Sequence, residues 1–176
     1  MFDRLGKTAK VRLVAAFAAA GALSLNFIVE GFVRSGLRAL DGATLIPGLL
    51  DIRGVWNRGI SFSLFWQSSD VGSLALSVGL IGMVAALVVW IGQTDRPYLA
   101  AALGLIIGGA LGNIVDRAVH KAVFDFLAVH IGPLPLFVCN ASDIVITLGV
   151  IGVLVEEVRT APPHLPLVGD KKAEPE

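Results

Sequence analysis

Polar and apolar residues segregate along this chain in long blocks, without the short-period alternation of a half-buried strand or a surface helix. Residues 13–29 carry no charge, and the run extends to 33 with Glu30 near an interface; residues 71–92 and 98–115 are likewise uncharged. A helix crossing ~30 Å of hydrocarbon needs roughly 20 mostly apolar residues, so the pattern predicts spans over about 11–33, 71–92 and 98–115. A fourth apolar stretch, 144–155, is too short alone and reaches spanning length by running back through Asp143, Asn140 and Cys139, to about 137–156. That places an ionisable Asp143 at or below the membrane surface. Such a group is costly there and is expected to face a protein interior or a water-filled cavity.

Between the apolar blocks, residues 92–97 allow only a tight connection, whereas 34–70 and 116–135 are long enough for folded loops on one shared side. Within the first long loop, 44–50 and 54–65 mix β-branched, aromatic and small residues, with Gly48, Gly54 and Gly59 as punctuation, which predicts short strands. The tail, 161–176, is rich in proline and charge and is expected to be disordered. No repeat or second domain is apparent, so residues 1–160 read as one membrane-embedded domain. The expected class is an all-α membrane protein of four transmembrane helices with a small β-structure outside the bilayer.

Composition agrees with this reading: 55% of the 176 residues are hydrophobic and the mean hydropathy is +0.78. Arg4, Lys7, Lys10 and Arg12 ahead of an apolar run resemble a cleavable secretory signal, but the run is too long and reads as an uncleaved first span. The N-terminus, short connection and tail hold eight Lys/Arg against six in the long loops, which orients the termini to the cytoplasm. Formal net charge is zero and no basic stripe is interleaved with aromatics, so nucleic acid is not an expected partner. The single cysteine and three scattered histidines have no metal-ligand spacing; no metal or cofactor is expected.

Few polar residues lie near the apolar blocks, and they gather on the side of the long loops: Asn57, Arg58 and Ser61; Asn113, Asp116 and Arg117; Asp125; Asn140, Ser142 and Asp143. Each has a bland alternative. An asparagine caps a helix or makes a turn, Arg117 anchors at the interface beside Asp116, and Asp143 favours the positive end of a helix. No serine sits in a nucleophile elbow, and His120 and His130 flank Asp125 without an evident partner, so a Ser/His/Asp triad is poorly supported. Two carboxylates remain. If Asp125 and Asp143 meet near the interface, repulsion and desolvation favour one shared proton, leaving one group as base for a water and the other as acid.

The blocks NRGISFSLF (57–65), GGALGNIVDR (108–117), VFDF (123–126) and NASD (140–143) closely resemble the signature blocks of the lipoprotein signal peptidase (signal peptidase II) family, over roughly residues 10–155. The resemblance implies four transmembrane helices with an extracytoplasmic β-cradle, in the bacterial inner membrane with the site near its periplasmic face. It implies an aspartyl endopeptidase whose pair, Asp125 and Asp143, cleaves a prolipoprotein just before its diacylglyceryl-modified cysteine. Asn57, Asn113, Arg117 and Asn140 would hold substrate backbone and orient the pair, with Gly59 and Gly109 allowing close approach. A prolipoprotein substrate, membrane phospholipid and sensitivity to globomycin are implied with it. The sequence departs from the family's pattern at Asn26, Phe27 and Glu30, where an Asp-Gln pair and a lysine are usual, and at Cys139 and Ser142 beside the last motif. A paralogue that binds lipoproteins without hydrolysing them is the alternative; a transporter using the carboxylates as a proton relay ranks below both.

Overall fold

The computed structural model describes residues 6–59 and 70–161, without the side chains of 37–39 and 70–73. The element order is α1 (Lys7–Leu40), β1 (Thr44–Ile46), β2 (Leu50–Asn57), α2 (Asp70–Gln93), α3 (Pro97–His120), β3 (Val123–Ile131), β4 (Leu134–Cys139) and α4 (Ala141–Thr160). The strands form one antiparallel sheet in the order β1-β2-β3-β4. The tail 162–176 and residues 60–65 of the expected second strand segment lie outside the described residues.

Among the described residues three helices, α1, α2 and α3, are long and apolar enough to cross a membrane. They differ in what surrounds them: two thirds (67%) of the α3 window is buried against 6% of the α2 window, so α3 is the central helix and α2 turns nearly all its side chains outward. An outward face of Leu74, Val78, Ile81 and Val88 on α2 and Phe17, Ile28 and Phe32 on α1 is stable only in an apolar solvent. Because lipid tails are as apolar as leucine, helices there associate by close packing at small residues. α3 supplies them. A Cβ on Gly104 or Gly108 would strike the backbone carbonyls of Ala15 or Ala19 on α1, and one on Gly109 would sit 2.7 Å from Ser142 O and Ile146 Cγ1 on α4.

The strands of the first long loop run over Thr44–Ile46 and Leu50–Asn57 where the sequence pattern predicts 44–50 and 54–65, and three helix limits also differ from the expectation. The last helix starts at Ala141 and runs to Thr160, not over 137–156, because 134–139 form strand β4, with Leu127 paired to Cys139, and Asn140 caps the helix. α1 continues past 33 to Leu40, since Glu30 and Arg34 pair one turn apart at 3.1 Å and their charges do not end it. α3 continues past 115 to His120, where Lys121 takes the left-handed conformation (φ 60°) and donates its N–H to Arg117 O. Two residues later β3 begins, so the end of α3 fixes where the strand bearing Asp125 enters the sheet.

Candidate active site

Asp125 lies in β3 opposite Val55 of β2, just past a register shift between Ile52 and Val55. It is 2% exposed. Two side-chain amides reach it: Asn57 Nδ2 donates to Oδ2 at 2.8 Å and Asn140 Nδ2 donates to Oδ1 at 2.9 Å. Both amides are fixed in orientation by backbone donors. Asn57 Oδ1 accepts the N–H of Gly59 at 2.8 Å, and Asn140 Oδ1 accepts the N–H of Asp143 at 3.0 Å. Neither can turn an oxygen toward Asp125, so the proton of its acid form has no acceptor in either asparagine.

Asp143 stands in the first turn of α4, in a reciprocal cap: Asn140 N donates to Asp143 Oδ2 at 3.3 Å while Asn140 Oδ1 accepts from Asp143 N. Asn113 Nδ2 on α3 donates to its other oxygen, Oδ1, at 3.3 Å, and Asn113 Oδ1 accepts from Asn140 Nδ2 at 3.2 Å. Asn140 therefore touches both carboxylates, one through its side chain and one through its backbone. The geometry that caps α4 is thus the geometry that brings this asparagine to both carboxylates.

Burial is the main force raising the Asp125 carboxyl to about 7, with the Asp143 charge adding to it; the Asn57 and Asn140 hydrogen bonds and Arg117 pull the other way. A carboxylic acid near neutrality that feels the charge of a second carboxylate and shares an asparagine with it is the pattern expected of an acid/base pair. The Cys139 thiol is pushed up to about 11, by burial first and then by Asp143 and Asp125, which leaves it an unreactive small apolar group.

Arg117 is buried, and its guanidinium donates to Gly59 O at 2.8 Å and to Asn113 O at 3.2 Å. It ties the chain after β2 to α3. Gly59 thus engages both its backbone groups, N–H to Asn57 and C=O to Arg117. Gly109 lies against Ser142 O, next to Asp143, where any side chain would push α4 away. Arg58 is exposed, and Ser61 lies outside the described residues. Ser142 is fully buried with an unpaired hydroxyl facing Gly112 and is outside the hydrogen-bonded set.

A cavity of about 920 Å³ opens beside this cluster. Asn113, Arg117 and Asp143 form its polar end, and Leu76, Leu80 and Met83 of α2 with Ile144 and Leu148 of α4 line its apolar walls. Asp125, Asn57 and Asn140 do not line it; Asp143 is the carboxylate it presents. Among the described residues no group of three or more His, Cys, Asp or Glu is placed to hold a metal.

Residues 14–159 match the family model described as signal peptidase (SPase) II. A lipoprotein signal peptidase of Methylorubrum extorquens is 45% identical over 108 residues, 61% of this chain and 63% of its own length. One of Methylobacterium sp. (strain 4-46) is 44% identical over 104 residues, again 63% of its length, so the chain spans somewhat under two thirds of both. One of Methylobacterium radiotolerans is 41% identical over 142 residues, covering 78% of this chain and 83% of the relative. Two solved bacterial membrane enzymes share the fold, with TM-scores of 0.69 and 0.67, at 22% and 20% identity, over 84% and 85% of this chain and 94% and 92% of theirs. With most of its length matched by one family model and by close relatives of one name, this chain belongs to the signal peptidase II family.

Proposed function

We propose that this protein is an intramembrane aspartyl endopeptidase that removes signal peptides from diacylglyceryl-modified prolipoproteins, cutting before the lipidated cysteine. The observation that carries the reading is Asn140, which donates to Asp125 from its side chain and to Asp143 from its backbone, joining a buried carboxyl to the carboxylate that faces an apolar cavity. In this scheme acyl chains lie along the apolar wall and the scissile peptide reaches Asp143. The carboxylate that faces the cavity takes a proton from water as it attacks the carbonyl. Asp125, held up near 7, supplies the proton that the departing amine finally needs. Asn113 and Arg117, at the cavity's polar end, hold the peptide backbone, while Asn57 and Asn140 set the geometry of the pair. General acid/base participation of this kind contributes ~10²- to 10⁴-fold in rate.

α4, 20 residues and so ~30 Å long, makes the fourth span despite Asp143, Glu156 and Glu157. Arg96 pairs with Glu157 and donates to Thr160 at 2.6 Å, tying the end of α4 to the α2–α3 turn, so the acidic residues of α4 fall at its two ends. The protein sits in the inner membrane with both termini cytoplasmic and the sheet on the periplasmic side. The test is cleavage of a purified lipidated prolipoprotein by the reconstituted protein. A mobility shift blocked by globomycin, and absent when the substrate is not lipidated, is expected; equal cleavage of the unlipidated form, or none of either, overturns the proposal.

A further inference from the structure

We infer that Asp116 is a positioning residue for Asp125, acting through the backbone of Phe124. Asp116 is 4% exposed at the end of α3, and its Oδ2 accepts the N–H of Phe124 at 3.1 Å. Strand β4 pairs with β3 only from Leu127 onward, so residues 123–126 have no strand neighbour on that side. A buried N–H at Phe124 must find an acceptor, and the acceptor it finds is a carboxylate one residue from Asp125. The Phe124 ring packs on Trp56 and Phe126 (centroids 5.3 and 5.9 Å), so this residue is held by ring and backbone alike.

Asp116 stands in a defined charge setting. Its Oδ1 lies 3.9 Å from His120 Nδ1, one turn along α3, and Glu30 and Arg34 of α1, themselves paired at 3.1 Å, face the same region, with Arg117 beside it. Arg34 also stacks over the Trp56 and Phe124 rings at 5.2 and 5.8 Å. The last turns of α3 thereby anchor all three segments of the site: Asn113 holds Asp143, Arg117 holds Gly59 after Asn57, and Asp116 holds the strand at Asp125. The first two touch the cavity; Asp116 does not, and its one hydrogen bond toward the site among the described residues is the one to the β3 backbone.

The inference rests on the acid role of Asp125, and its test separates the two. Asp116→Ala removes the acceptor, whereas Asp116→Asn keeps an oxygen there. In the full-length protein with a lipidated substrate, Asp116→Ala lowers kcat by about 10²-fold, as a misplacement on the 1 Å scale does, with KM within a few-fold and the pH–rate profile displaced. Asp116→Asn retains kcat within a few-fold and keeps the wild-type profile. Leu103→Ala, a fully buried core truncation in mid-α3, serves as the stability control and leaves the profile in place. Wild-type kcat in Asp116→Ala, an Asn variant as impaired as the Ala variant, or a profile displaced equally by Leu103→Ala overturns the inference. Failure of the acid assignment itself reads out differently, as full activity in Asp125→Asn.

Discussion

At the scale of single residues, the site is a contest over one proton. Asp125 would ionise near 3.8 in an open chain and does so at about 7 here, because burial outweighs two donated hydrogen bonds. The native state therefore holds a proton that the unfolded chain has released. The stability this contributes is complete below about pH 4 and is lost as pH rises through 7, so thermal stability in detergent falls between pH 5 and 8. Replacing Asn57 by Ala removes a donor that favours the charged form, so the pKa rises further. If Asp125 is the acid, the limb of the pH–rate profile on which activity falls moves upward by roughly one pH unit; a limb that stays put or moves down contradicts the assignment. Residue types gave this site away early. Asp125, Asp143 and the three asparagines were legible because polar groups are scarce near the apolar blocks. The contact of Asp116 was not, since its partner is a backbone N–H eight residues away that no side-chain pattern announces.

Among the elements, α3 decides the geometry, and its glycines are where that is testable. Gly108 and Gly109 face opposite neighbours, α1 and α4, with no room for a Cβ, whereas Gly82 of α2 has nothing within 4 Å of one. Gly108→Val and Gly109→Val are each expected to cost about 1–3 kcal/mol by overpacking, and Gly82→Val close to nothing, in thermal melts of the purified protein. Gly109→Val also slows cleavage, because the atom it displaces, Ser142 O, adjoins Asp143. Equal tolerance at all three positions would mean that the helices do not pack as described. Element limits were less legible than element existence. Residues 137–139 are apolar enough to read as the start of a span, and only the pairing of Leu134–Cys139 with β3 makes them part of a strand. In α1 the span reads through Glu30 only as far as 33, and the pairing of Glu30 with Arg34 one turn on lets the helix continue beyond it.

For the whole molecule, hydropathy made the helical membrane class legible, while the sheet was only half visible. Its central strands, β2 and β3, join residues such as Asn57 and Asp125 that stand 68 positions apart, beyond the reach of any local pattern. The arrangement puts the sheet and the polar end of the cavity on one side of the bundle, and the α2–α3 turn and the end of α4 on the other. In a Cys139→Ala background, a cysteine at exposed Pro133 in the β3–β4 turn is expected to react with an impermeant maleimide in cells whose outer membrane alone has been opened. One at exposed Asp95 is expected to react only after the inner membrane is breached. The reverse pattern would invert the proposed orientation.

Asp125→Asn, Asp143→Asn and the double variant, assayed together for cleavage of a lipidated prolipoprotein, bear most directly on the claim that two carboxylates act as one unit. Groups that act together are strongly non-additive, so each single variant should lose on the order of 10³-fold or more and the double variant little beyond that. Wild-type turnover in either single variant, in a protein that still inserts and remains monodisperse, would contradict it.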